Sequence, residues 1–105
     1  MGRKRIELEF YDKKYTIEFN RTSVREVIKT QDDDNTIQQV INLVKSGLIM
    51  HHKDNMPSDD EVFGWLIGLG DGLGSFAEAL RDMVQDVLEV LKNDGKNLKW
   101  GKVED

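Results

Sequence analysis

Cysteine is absent from all 105 residues, which excludes a disulfide framework, a thiolate nucleophile and a thiolate metal site. Histidine occurs only twice, as the adjacent pair His51 and His52. Neighbours on a helix point about 100° apart and cannot share a metal as an i, i+4 pair does. A solvated helix end, with imidazolium set against the last carbonyls, is the expected role of the pair. No apolar stretch approaches the ~20 residues that a membrane span needs. Behind Arg3, Lys4 and Arg5 there is no apolar run either, because Glu7 and Glu9 interrupt it, so no secretory signal is read there. A soluble, cytoplasmic, single-domain protein spanning residues 1–105 is expected.

Positive charge is outnumbered, with 15 Lys/Arg against 20 Asp/Glu, and the formal net charge is −5. It is also uneven: residues 1–29 carry eight Lys/Arg against five Asp/Glu, and residues 30–105 carry seven against fifteen. An acidic chain is a poor general partner for nucleic acid, whose phosphates must be met by clustered cations. Apolar residues make up 38% and charged residues 33%, polar for a globular domain yet too apolar for a disordered one.

What is present is organised around residues 75–91. Phe76, Ala77, Leu80, Met83, Val84, Val87, Leu88 and Leu91 fall in one sector roughly 140° wide, as an amphipathic helix requires. Upstream, Ile6-Glu7-Leu8-Glu9-Phe10 and Tyr15-Thr16-Ile17-Glu18-Phe19 alternate on either side of Tyr11-Asp12-Lys13-Lys14. They predict a β-hairpin over 6–19 in which Phe10 faces Tyr15, Leu8 faces Ile17 and Ile6 faces Phe19. Lys13 stands where a tight turn would want Gly, so a looser four-residue loop is the alternative. Three Ser-x-x-Glu patterns, at Ser23/Glu26, Ser58/Glu61 and Ser75/Glu78, read as capping boxes that start helices.

The first of these helices runs to about Thr30 with Val24, Val27 and Ile28 inward. A second, with cap candidates at Asp32, Asp33, Asp34 and Asn35, carries the stripe Ile37, Val40, Ile41, Val44 and Leu48 and ends near His52, with Gly47 as a weak point. A third runs from Ser58 or Asp59 to about Leu69, and Gly70-Asp71-Gly72-Leu73-Gly74 turns the chain into the long helix. Asn93-Asp94-Gly95 stops that helix. In the tail, 93–105, Leu98, Trp100 and Val103 alternate with polar residues as a short edge strand or an unpaired arm. The fold class is therefore α+β, mainly α: a hairpin packed on about four helices, with the helical part over 23–92.

Candidate sites are few. The glycine-rich turn at 68–74 fits no phosphate-binding register and is followed by no P-loop lysine. The acidic clusters at 32–34 and 54–61 lack the ligand spacing of a calcium loop. Every carboxylate reads as a cap or a solvated group, so no catalytic, metal or cofactor residue is assigned. The third helix is unusual, because apolar residues surround it. Its outer side, with Phe63, Trp65 or Ile67 as anchors and Gly64 and Gly68 allowing close approach, is the candidate for docking a partner or a second copy. The bland alternative is a central helix covered on all sides by its own chain.

The run Leu8-Glu9-Phe10-Tyr11-Asp12-Lys13-Lys14-Tyr15-Thr16-Ile17-Glu18-Phe19, followed by Arg21-Thr22-Ser23-Val24, resembles the opening of the small tail assembly chaperones of long-tailed bacteriophages and prophages. Residues 48–53 with the His-His pair, and 73–88 with Glu78-Ala79-Leu80 and Met83, resemble their second half. The likeness covers most of residues 6–92 and departs at Lys13, where Gly is usual, and at the acidic stretch 32–35. It implies a non-enzymatic protein of the bacterial cytoplasm, absent from the finished virion. Its implied partners are the tape measure protein, the tail tube protein and other copies of itself. The alternatives are a small phage connector protein, an acidic inhibitor of a host enzyme and, more remotely, a nucleic-acid binder using Arg3, Lys4 and Arg5.

Overall fold

Alternation with period two in the first twenty residues produces β1 (Ile6–Phe10) and β2 (Lys13–Ile17), an antiparallel pair, in a computed structural model that describes residues 4–29 and 36–103. The pairs are Ile6 with Ile17, Leu8 with Tyr15 and Phe10 with Lys13. The faces are those expected from the alternation, but the register is two residues tighter. The turn holds only Tyr11 and Asp12, at φ 48° and 65°, and both central residues of a type I′ turn need this left-handed conformation. Lys13 is thus the first residue of β2, where glycine has no role. Phe19 lies beyond the strand and is buried.

Four α-helices follow: α1 (Arg21–Lys29), α2 (Thr36–His52), α3 (Asp59–Leu69) and α4 (Leu73–Gly95). A single 3-10 turn, Gly70–Gly72, joins α3 to α4, so 59–95 is one helical run and the helices form three separate bodies rather than four. Gly70 breaks the run at φ 55°, a conformation that favours glycine. The stripe of α4 is buried through Ala77, Leu80, Met83 and Val84, and thins to half-buried at Val87, Leu88 and Leu91.

The centre of the core is α2 rather than α4. Its buried residues are Val40, Ile41, Leu43, Val44, Ser46, Gly47 and Leu48, and β2, α1 and α3 all pack on it. Gly47 is the seat of the hairpin: a Cβ there would lie 2.4 Å from Ile17 Cγ2 and 3.0 Å from Phe19 Cζ. The Glu18 amide donates to the Gly47 carbonyl at 2.9 Å. The glycine read as a weak point of the helix is the contact that lets strand and helix meet.

Of the three expected capping boxes, one supplies the cap. Ser58 Oγ accepts from the Glu61 amide at 3.2 Å and starts α3. Ser23 is buried inside α1, and its amide donates instead to Asn20 Oδ1 at 2.8 Å. Ser75 lies within α4, whose preceding residue is Gly72 and carries no side-chain cap. Within α1, Val24 and Val27 are inward as expected, whereas Ile28 is exposed. The cap candidates at 32–35, like Arg3, lie outside the described residues. After Gly95 the chain forms no strand through residue 103, and Leu98, Trp100 and Val103 are exposed.

Candidate partner-docking site

The last turn of α2 places both histidines against β2 and the residue after it. His52 Nε2 accepts a hydrogen bond from the Thr16 amide at 2.9 Å, which requires that nitrogen to be unprotonated, and its ring lies 5.2 Å from that of Tyr15 at a tilt of 58°. His51 Nε2 lies 3.1 Å from Glu18 Oε1, and that carboxylate is buried. These contacts replace the solvated helix end and correct the expectation that every carboxylate is a cap or solvated. The pair fastens β2 to α2, each ring to a different group. Among the described residues no cluster of three or more acidic or histidine side chains is placed to hold a metal.

The glycine-rich segment is the turn between α3 and α4, and Asp71 within it is exposed. A hollow of about 490 Å³ among α1, α2 and α4 is lined by Val27, Leu43, Arg81, Val84 and Leu88 among others, and among the described residues its lining holds one cation and no nucleophile.

The surface of α3 divides the three anchors named from the sequence. Val62 and Leu66 face the core, while Phe63 and Ile67, one turn apart, stand 45% and 58% exposed on the outer face. Gly64 and Gly68 lie beside them, with nothing within 4 Å of where a Cβ would be. Among the described residues the helix is therefore not covered on all sides. Trp65 belongs to another side. Its ring packs 5.0 Å from Tyr15 and 5.7 Å from Phe10, bracing the hairpin, and its buried indole N–H has no hydrogen-bond partner among the described residues.

Next to Trp65 runs a groove of about 290 Å³, which the sequence does not announce because three elements make it. Leu8 and Phe10 of β1 form one wall, Trp65 and Leu69 of α3 the other, and Phe76 of α4 closes one end. Glu9 also borders it, although its side chain alternates to the opposite face, so the groove follows the outer edge of β1. The only sequence signal for this groove is the apolar excess of α3.

Electrostatics tie the basic start of the chain to its acidic end. Lys4 Nζ lies 2.7 Å from Asp86 Oδ2 and Arg21 3.4 Å from Asp94. The hydrogen bond to Asp86, and then its charge, hold the Lys4 ammonium above the usual lysine range. At the head of α3, Lys45 Nζ donates to Asp59 Oδ1 at 2.6 Å and holds that carboxyl below the usual range, with a weaker contribution from Gln38. Among the described residues no helix is long and apolar enough to cross a membrane. Comparison with protein-family models, with curated proteins and with solved structures finds no match for this chain.

Proposed function

We propose that this chain is a non-enzymatic tail assembly chaperone of a long-tailed bacteriophage or prophage, which holds a helix of the tape measure protein while the tail tube forms around it. The supporting observation is the outer face of α3, where Phe63 and Ile67 are exposed one turn apart beside two glycines. An apolar helical segment laid across such a face buries both anchors, and the glycines let its backbone come close. The sequence resemblance supplies the identity of the partner, and the histidine contacts, which are structural, support a role without catalysis. The protein would act in the bacterial cytoplasm and be absent from the finished particle.

Co-expression with the tape measure protein tests this reading. Ile67→Glu is expected to abolish co-purification while circular dichroism stays unchanged, since that side chain is outside the core. Retained co-purification with Ile67→Glu, or no complex with the wild-type chain, would overturn the reading. Finding the chain in purified particles would make it a connector instead.

A further inference from the structure

Two features of the molecule stand exposed, and their alternation of apolar and charged residues is complementary. The first is the outer edge of β1. In the hairpin ladder Ile6, Leu8 and Phe10 exchange backbone bonds with β2, so the amides and carbonyls of Glu7 and Glu9 point outward. On the other edge, the outward amides of Thr16 in β2 and of Glu18 just after it are taken by His52 and Gly47. No backbone or side-chain hydrogen bond among the described residues reaches the outward groups of β1. The second feature is the segment after α4, which forms no helix or strand from Leu98 to Val103 and where Leu98 and Trp100 stand 73% and 85% exposed on either side of Lys99, the Asn97 and Leu98 amides bonding back to the Asp94 and Gly95 carbonyls.

We infer that residues 98–101 of one copy add to the edge of β1 in a second copy as a third strand, with Trp100 seated in the groove between β1, α3 and α4. Alternation fixes the match. When Leu98 and Trp100 join the apolar face of Leu8 and Phe10, Lys99 falls on the face that carries the exposed Glu7 and Glu9. The apolar walls, Phe10, Trp65, Leu69 and Phe76, suit an indole, and the opposite face pairs a cation with two carboxylates. Main-chain bonds to the outward groups of Glu7 and Glu9 supply the rest, as in strand addition to any open edge.

Reach requires that the two copies be different molecules. Phe76 and Lys96 lie at opposite ends of α4, about 30 Å apart along the helix axis. Trp100 follows Lys96 by a stretch that spans at most about 14 Å when fully extended. The indole cannot enter the groove of its own chain. The proposal does not rest on the tape measure reading: its anchors, Trp100 and the edge of β1, are not Phe63 and Ile67, although Gly64 and Gly68 border both surfaces, so Ile67→Glu and Trp100→Asp test the two readings separately.

Sedimentation of the full chain, together with cross-linking, tests it. The wild-type chain is expected to self-associate, and Trp100→Asp to weaken that association at least tenfold with unchanged circular dichroism. The natural absence of cysteine allows a second measurement. On mild oxidation, an equimolar mixture of the single variants Glu9→Cys and Lys99→Cys is expected to give mixed disulfide dimer well above the roughly twofold excess over each like pair that random pairing produces, with the peptide junction read by mass spectrometry. A monomeric wild-type chain, an association untouched by Trp100→Asp, or a mixed dimer no more than about twice as abundant as each like pair, as random pairing gives, would each overturn the proposal.

Discussion

At the scale of single residues, the side chains that decide this fold act through partners far away in sequence. Gly47 is the plainest case. In the sequence it is a helix-weakening residue, and only the approach of Ile17 and Phe19 shows why it stands there. A β-carbon at 2.4 Å from Ile17 forces the hairpin off its seat. Gly47→Ala is therefore expected to destabilise the protein by about 1 to 3 kcal/mol, despite the better helix propensity of alanine, as overpacking does. A lower melting temperature with native-like circular dichroism checks it, and an unchanged or raised one contradicts it. The histidines were illegible for the same reason. Thr16 and Glu18 lie 36 and 33 residues before the rings they bind, and no local pattern joins them.

At the scale of elements, much more was legible. Period-two and period-3.6 patterns found the hairpin, the extent of α3 and the inner stripes of α2 and α4. Helix starts were less readable, because Ser-x-x-Glu fits the first turn of a helix as well as its cap. At α1 the neighbouring Asn20 takes the capping role and buries Ser23 beneath it. Ser58→Ala is accordingly expected to cost about 1 kcal/mol and Ser75→Ala close to nothing, a contrast that urea midpoints measure directly. Comparable losses from both would contradict the assigned caps. The α3 surface was half legible. Its apolar excess marked Phe63 and Ile67, whereas the attachment of Trp65 to Phe10 and Tyr15 depends on how the hairpin folds back over the helix.

At the scale of the whole molecule, charge and shape agree. The excess cations of the first 29 residues are partly spent on the acidic outer face of α4, through Lys4 with Asp86 and Arg21 with Asp94. Those pairs are exposed and add little stability. Lys45 with Asp59, the two about a third and a half exposed, is also a surface pair, worth about 0 to 1 kcal/mol. Because the folded carboxyl of Asp59 titrates below its unfolded value, this stability is present above the ordinary carboxylate pKa. It is lost as pH falls through the lower folded value, below about pH 4. The stability gap between wild type and Asp59→Asn should narrow in that window, and a gap that widens in acid would contradict the pairing. The radius of gyration, 16.2 Å, exceeds the ~13 Å usual for this length, because the last turns of α4 and the residues after it project beyond the core.

The seat of the hairpin on Gly47 also orders events in time. Ile17 and Gly47 are separated by α1 and most of α2, so their contact closes a long loop and cannot reward the chain until α2 is wound. Winding α2 needs only local bonds, which places it on the early side of the folding barrier and the docking of strand on helix on the late side. A lesion at Gly47 then leaves the rate of reaching the barrier almost untouched and shortens the lifetime of the folded protein instead. The native state would be held together longest by the contact it makes last.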